Sequence, residues 1–333
     1  IMKKNLRNLL VLSLGLITTI ASAQWGATST SWMDNTDSDA REAWNRTTLT
    51  VDLSAVHVSA DYNSNWNNLS TNQSNADVYE AYASTDLMGF GTLTMGRQDL
   101  SFGSGALISS GYWGKDRYTS DGVDFAASFG GIAINAGTMS GISTATNYMN
   151  AAGSFSGVSF NMLMVSTAGV KSHGYDLGYS LMDGSLNLNY SINDDGNDNE
   201  MTEMGGSYNV MDNVTIHGSM RKYEGDGAGF SSAHSAWNVT DNGTIYGAGG
   251  LAAGVMPHLT NGNEVLSYGL DYNLGDVSLG YTMHSVSEEG YEDIDLTDLT
   301  LTYNLNDNCT IGYRSYSLSS TEDYNFITIE IGL

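Results

Sequence analysis

Titratable side chains recur along this chain on the polar side of segments whose other side is apolar. Charges that share one water-facing surface add up to a field, and a surplus of carboxylates attracts cations. Each such residue alone is more often a solvated wall residue than a binding group. The acids of this set are Asp61, Glu80, Asp124, Asp176, Glu203, Asp271, Asp298 and Glu330, the bases are Arg46, Arg221 and Arg314, and the histidines are His57, His217 and His284.

Other kinds of chemistry have weaker support. The loop stretches 194–200 and 288–293 hold clustered carboxylates that could bind Ca²⁺ through oxygen ligands, although such runs are more often solvated loop tips. His234-Ser235 with Asp241 has the residue types of a hydrolase triad, but no hydrolase motif surrounds them, and a triad is recognised by geometry. We therefore predict no enzymatic activity, no catalytic residue and no cofactor, with loop Ca²⁺ as the one metal considered.

A period-two alternation must position these side chains. In residues 325–333, Ile327, Ile329 and Ile331 fall on one face, while Thr328 and Glu330 fall on the other. The same alternation runs through 185–192, 265–274, 277–284 and 299–305. This periodicity predicts β-strands with one apolar and one polar face.

The connections between these strands alternate between tight turns and longer polar loops. This alternation predicts an all-β, antiparallel, up-and-down transmembrane barrel of about 18 strands, with about 16 as the alternative. Longer loops are predicted at 34–42, 64–76, 99–119, 139–147, 167–171, 194–201, 224–263, 287–294 and 318–323. Strands are predicted at 24–33, 43–52, 55–63, 77–87, 90–98, 120–129, 131–139, 148–155, 158–166, 172–181, 184–193, 202–210, 213–223, 264–274, 276–286, 295–305, 308–317 and 324–333.

The composition fits a membrane barrel better than a soluble protein. The 333 residues carry a net charge of −25 and one Cys, which excludes a basic nucleic-acid surface and an internal disulfide framework. The alternative is a secreted soluble β-sandwich or β-solenoid. A soluble barrel of this size would need its apolar face covered, and the opposite faces, dominated by Gly, Ser, Thr, Asn and Asp, are too small and polar to pack a dry core.

Residues 1–23 have the pattern of a secretory signal peptide. Lys3, Lys4 and Arg7 precede an apolar stretch from Leu9 to Ile20, and 21–23 read Ala-Ser-Ala, a typical cleavage site. We expect the mature barrel to occupy residues 24–333 and to lie in the bacterial outer membrane.

A barrel of this width encloses water unless loops fill it. Two long loops, 99–119 and 224–263, are the candidates for narrowing or closing the bore, and the second is Gly- and Ala-rich. We hold equally that 224–263 folds inward or forms an external flap. The first hypothesis is a porin, a passive channel for small hydrophilic solutes or ions with weak cation selectivity. The alternative is a plugged barrel serving as a surface scaffold or adhesin. Lipid and small solutes are the expected partners, and both a homotrimer and a monomer are compatible with the sequence.

The segment 96–125 contains a Gly-Arg-Gln strand end, a Phe-Gly turn, a Trp and an Asp-Gly strand start. In this segment the chain resembles the alginate-export family of outer-membrane porins, which carries a similar order of residues. The resemblance implies roles for Arg97, Gln98, Arg117 and Asp121, and passage of an anionic polysaccharide or small organic solutes. The chain departs from that family in its charge: only six Arg and three Lys follow residue 23, so a polyanion would meet repulsion from the acidic faces.

Overall fold

The computed structural model describes residues 24–34, 43–65, 74–110, 119–140, 144–227, 229–230, 234–235, 261–288, 293–318 and 324–332. Within these ranges the chain forms eighteen barrel strands, as predicted. The strands, numbered in chain order, are β1 Gln24–Asp34, β2 Ala43–Leu53, β3 Val56–Asn65, β4 Ser74–Asp86, β5 Thr92–Gln98, β6 Ser120–Phe129, β7 Ile132–Met139, β8 Thr146–Phe155, β9 Val158–Thr167, β10 Val170–Leu181, β11 Leu186–Asp194, β12 Asn199–Met211, β13 Val214–Gly225, β14 Asn263–Leu274, β15 Val277–Glu288, β16 Ile294–Asn306, β17 Cys309–Leu318 and β18 Tyr324–Gly332.

The sheet closes on itself through its first and last strands. β1 pairs antiparallel with β2, where Trp32 opposes Trp44, and on its other edge with β18, where Thr30 opposes Glu330. All other neighbours are consecutive antiparallel strands. Closure satisfies the backbone groups of every strand, as a lipid environment requires. The predicted all-β up-and-down barrel is confirmed.

Two connections predicted as longer loops are tight turns. Thr167 pairs with Val170, so that Ala168 and Gly169 alone make the turn, with φ of 53° and 90°. Between β11 and β12, the Asp195 N–H donates to the carbonyl of Asn199 over 3.1 Å. Such left-handed turns match the twist of a hairpin. The predictions for 167–171 and 194–201 were wrong because polar residues there signalled a loop without signalling its length.

The outer wall is apolar and exposed. Leu49, Leu177, Leu270 and Ile329 stand on it with between 38% and 53% of their surface uncovered by protein. An exposed apolar belt of this extent is unusual for a soluble protein and matches the lipid-facing band of a membrane barrel. Among the described residues, no helix has the length and hydropathy needed to cross a membrane.

The first long loop packs inside the barrel. Its residues 99–109, here named the inward loop, bury Ala106, Leu107 and Ile108 to 1% exposure or less. These side chains form a core with inward residues of the wall, among them Tyr148 on β8 and Leu163 on β9. Ile108–Ser109 also pairs in parallel with His234–Ser235 of the second long loop. The rest of that loop lies almost wholly outside the described residues.

Candidate functional site

Strand register decides which side chains share the inside of the barrel. Directly opposed residues of neighbouring strands lie on one face, so the chain of partners Asp176, Ser191, Glu203 and Arg221 stands on a single row. That face is the inward one, because the inward loop packs against it. The register places the whole predicted set there: Arg46, His57, Asp61, Glu80, Asp124, Asp176, Glu203, His217, Arg221, Asp271, His284, Asp298, Arg314 and Glu330. Their role as the lining of an open channel stays a prediction.

Two inward arginines are held by carboxylates on the neighbouring strand. Arg221 donates from Nε and Nη2 to Glu203 Oε2 over 2.8 and 2.6 Å. Arg314 donates to both oxygens of Asp298 over 3.1 and 2.6 Å. Each pair is locally neutral, so these arginines offer little attraction to anions.

A third arginine stacks on an aromatic ring. The Arg46 guanidinium lies 5.0 Å from the centroid of Trp32, whose ring stacks on Trp44 at 5.6 Å. Stacking of this kind stabilises a guanidinium through the ring quadrupole. All three of these side chains are buried.

Several inward acids are held by neutral donors. Asp124 accepts from the Tyr148 hydroxyl at 2.8 Å and from Asn135 at 3.1 Å. Asp176 Oδ2 accepts from the Ser104 N–H at 3.1 Å and from Asn161 at 3.2 Å. Neutral donors stabilise a carboxylate without cancelling its charge, so these acids keep a negative field inside the barrel.

Two of the three inward histidines are bound to acids. His57 Nδ1 lies 2.6 Å from Asp52, and its Nε2 is 3.3 Å from Glu80. His217 Nδ1 lies 3.1 Å from Asp271. A carboxylate at one ring nitrogen fixes the orientation of the imidazole.

The third inward histidine faces a hydroxyl. His284 Nδ1 lies 2.7 Å from the hydroxyl of Ser267 on the neighbouring strand. The side chain is 7% exposed, so this hydroxyl contact takes the place of water.

The inward loop is tied to the wall at its tip. Besides the bond from the Ser104 N–H to Asp176, the Ser104 hydroxyl accepts from Asn193 at 3.3 Å. Gly103 has a φ of 57°, and a Cβ there would collide with the Asp176 carboxylate. Only glycine allows this close approach. The loop is therefore fixed by its backbone as well as by its apolar core.

A second contact joins the second long loop to the wall. His234 Nε2 lies 2.8 Å from Thr146 Oγ1, which also contacts Thr167 Oγ1 at 2.7 Å. Burial lowers the pKa of His234 below the ordinary histidine value, because a charged ring would lose its hydration. The imidazole is therefore neutral in this contact near pH 7.

Exposure changes along the inward face. Near the long-loop end the inward side chains are covered, whereas near the short-turn end they are open. The buried set includes Trp32, Trp44, Asp61, Met201, Tyr223, Val265, Leu296, Tyr316 and Phe326, and the exposed set includes Asp86, Ser154, Asn273, Asn304 and Glu330. The interior thus opens most widely toward the short turns.

The residues of the 96–125 motif separate between the two faces. Arg97 and Asp121 oppose each other on the outer face, joined by bonds of 2.9 and 3.0 Å. Gln98 points inward and is 6% exposed. Arg117 lies outside the described residues. Arg97 therefore lies on the same outer face as Met95, as simple alternation requires. Its charge is balanced there by the Asp121 carboxylate.

The loop carboxylates predicted to bind Ca²⁺ are used locally in one stretch. Asp195 accepts from the Asn197 N–H and from Asn199 Nδ2, each over 2.8 Å. Among the described residues, no group of three or more His, Cys, Asp or Glu is arranged to hold a metal. The centre of the stretch 288–293 lies outside the described residues, so loop Ca²⁺ stays a prediction.

Sequence reasoning missed the neutral partners of these acids and the docking of the loop. Ser104, Asn161 and Tyr148 gave no signal, since such residues occur on every polar face. One signal was present: Leu107-Ile108 is an apolar pair inside a polar loop, which indicates burial of that loop.

Neither a protein-family model nor a curated protein matches this chain. Solved structures match over nearly its full length. Pseudomonas aeruginosa OpdK, crystallised with vanillate, is 14% identical with a TM-score of 0.74, covering 94% of this chain and 99% of that chain. The BenF-like porin of Pseudomonas fluorescens Pf-5 is 14% identical, with a TM-score of 0.72 and coverages of 94% and 98%. Pseudomonas aeruginosa OccK8 (OprE) is 11% identical, with a TM-score of 0.68 and coverages of 95% and 99%.

At these identities the likeness establishes the eighteen-strand fold. The neighbours are Occ-type and BenF-like porins, not alginate-export porins, so the resemblance to the alginate-export family is wrong. The motif misled because polar residues at a strand end and Asp-Gly at the next strand start reflect local turn geometry. A barrel of any family can contain them.

Proposed function

We propose that this chain is an outer-membrane porin, a passive diffusion channel for small hydrophilic solutes or ions with weak cation selectivity. The observation that carries the proposal is a closed barrel that is apolar outside and polar and acidic inside, narrowed by an inward loop. Such a wall presents hydrocarbon to lipid and water to the bore. Diffusion through it needs no catalysis and no cofactor.

The selectivity follows from the balance of inward charges. Arg221 and Arg314 are each paired with an acid, whereas Asp124 and Asp176 meet neutral donors among the described residues. The net charge of these inward residues is negative, so the local concentration of cations inside the barrel is raised and that of anions is lowered. OpdK was crystallised with vanillate, a carboxylate. We expect this chain to pass such anions less readily than cations of similar size.

The plugged barrel stays as a second candidate, because inward side chains are buried near the long-loop end on strands all around the wall. A barrel filled at that end would serve as a scaffold or adhesin. The location in the outer membrane is common to both candidates.

Planar-bilayer recording separates them. The purified chain is inserted into a lipid bilayer between unequal KCl solutions, and current is measured against voltage. A porin gives discrete steps of conductance, and its reversal potential has the sign of K⁺ permeation. Absence of steps, with insertion verified by protease protection in vesicles, would support the plugged scaffold. Conductance steps whose reversal potential has the sign of Cl⁻ permeation would contradict the proposed negative charge of the inward face.

A further inference from the structure

A cavity of about 400 Å³ opens into the barrel beneath the tip of the inward loop. It lies against the inward face of β9 to β12. Its polar lining, here named the wall niche, consists of Ser104, Ser159, Asn161, Asp176, Asn189, Ser191 and Glu203. Gly178 deepens it, since a Cβ there would crowd the Ser159 hydroxyl. Cavities of this volume hold small organic ligands.

The wall niche contains a buried carboxylate oxygen that lacks a partner, because Asp176 Oδ1 has no hydrogen-bond partner among the described residues. Ser191 is 5% exposed and lines the cavity, and no other described residue hydrogen-bonds its side chain. Asn161, at 9% exposure, is equally buried, and its amide donates to Asp176. Buried polar groups are rarely left without partners. Asp176 Oδ1, together with the Ser191 hydroxyl in the same cavity, therefore indicates a polar occupant, a solute or water.

The charge of the wall niche favours a cation. Asp176 accepts bonds only at Oδ2, from neutral donors, and no described basic residue pairs with it. Glu203 accepts both bonds from Arg221 at Oε2, which leaves Oε1 without a hydrogen bond among the described residues. One arginine against two carboxylates leaves one net negative charge. Surplus acceptors together with a negative charge match an N–H-bearing cation.

We propose that the wall niche is a subsite for the primary ammonium group of a small organic cation that permeates the barrel. The ammonium donates to the Asp176 and Glu203 carboxylates and to the Ser191 hydroxyl, which lies between them along the row of opposed residues. Hydroxyl or amide groups elsewhere in the solute bond with Asn161 and Asn189. This proposal names the solute class of the channel and rests on the proposed function.

The test uses the whole chain in planar bilayers with KCl. Ethanolammonium chloride is added on one side, and the concentration that halves the K⁺ current is measured. Tetramethylammonium chloride is the matched probe, because it has the same charge and no N–H donor. Loss of a hydrogen bond to a charged group weakens binding about tenfold, so we expect ethanolammonium to block at about tenfold lower concentration than tetramethylammonium.

Variants locate the effect. Ser191→Ala removes a hydroxyl on which no described contact depends, and Asp176→Asn removes the charge while keeping an acceptor for the Ser104 N–H. Both should raise the half-blocking concentration of ethanolammonium, the second by about tenfold. Ser207→Ala and Glu330→Gln, inward substitutions outside the wall niche, are the matched controls and should leave it within about twofold.

Each outcome decides the matter. Equal block by the two probes, or equal weakening in Glu330→Gln and Asp176→Asn, would overturn the subsite and leave only a general acidic field. Block unchanged in both Ser191→Ala and Asp176→Asn would overturn it as well. The current of the unmodified chain is measured before any probe is added. Absence of any channel current at that stage would reject the porin function itself.

Discussion

The backbone N–H of Ser104 donates to the carboxylate of Asp176, although the two residues are 72 positions apart in the sequence. This bond ties the tip of the inward loop to β10 of the wall. Because the loop packs inside the barrel, this bond helps to fix where the loop lies against the wall. The contact therefore couples a residue of one wall strand to the position of a loop inside the barrel.

Replacing Gly103 with Ala should release the tip of the inward loop. A Cβ would collide with the Asp176 carboxylate, and the left-handed backbone would add about 1–2 kcal/mol of strain. We expect a larger or noisier single-channel conductance in planar bilayers. Gly130→Ala is the control, because Gly130 is also left-handed but has open space around it. Equal conductance changes in the two variants would show that backbone strain alone, and not the loss of the contact between the inward loop and Asp176, is responsible.

Removal of Arg221 should increase cation selectivity. Its loss leaves Glu203 unpaired inside the barrel, so the reversal potential in a KCl gradient should move further in the K⁺ direction. The folded barrel should lose about 1–3 kcal/mol, since a partly buried carboxylate loses its partner. Glu203→Gln should shift the potential the opposite way.

The neighbouring Lys222→Gln is the matched control for Arg221→Gln. Lys222 pairs with Glu264 on the outer face, away from the bore. Its replacement removes the same charge from the same strand, and the reversal potential should not change. A shift as large as that of Arg221→Gln would contradict the assignment of faces.

Breaking the outer pair should weaken the barrel in lipid without changing its conductance. Asp121→Asn leaves Arg97 without a counter-charge on the outer face near a strand end, where an arginine costs about 0–1 kcal/mol, against about 2–4 kcal/mol at the bilayer midplane. The double variant Arg97→Met, Asp121→Asn should recover the stability that the single variant loses. Denaturant unfolding in lipid vesicles measures the stability of both variants. Equal stability of the single and double variants would show that the pair contributes nothing.

The His234 contact should be sensitive to acid. Its pKa is lowered on folding from the ordinary 6.5, so the folded state binds fewer protons than the unfolded state at acidic pH. The contribution of this contact is complete above about pH 6.5 and falls as pH decreases below that value. We expect open-channel current noise to rise between about pH 7 and 5.

His234→Gln should remove the acid-dependent part of that noise, because the amide can bond Thr146 but does not titrate. His173→Gln, a histidine on the outer face of β10, is the control and should keep the pH dependence. Persistence of the full pH dependence in His234→Gln would assign it to another group.

Much of the barrel could be predicted from residues near one another in the sequence. Alternation through Ile327, Ile329 and Ile331 identified both a strand and its outward face, and the same logic placed Glu330 inside. The pairing of Arg97 with Asp121 across two strands was not recognised from the sequence. Family assignment failed, because the motif around Arg97 reports a strand end and the turn that follows it.

The sequence alone predicted a closed barrel of about eighteen strands and the inward face of the fourteen named titratable residues, since a period of two is fixed by the backbone of each strand. Only the tertiary structure decided which charges are neutralised, as Arg221 is by Glu203, and which remain, as at Asp176. It alone showed that Leu107 buries its side chain against the wall and that His234 reaches Thr146. These contacts join distant parts of the chain, so they depend on closure of the barrel, which brings those parts together around one interior.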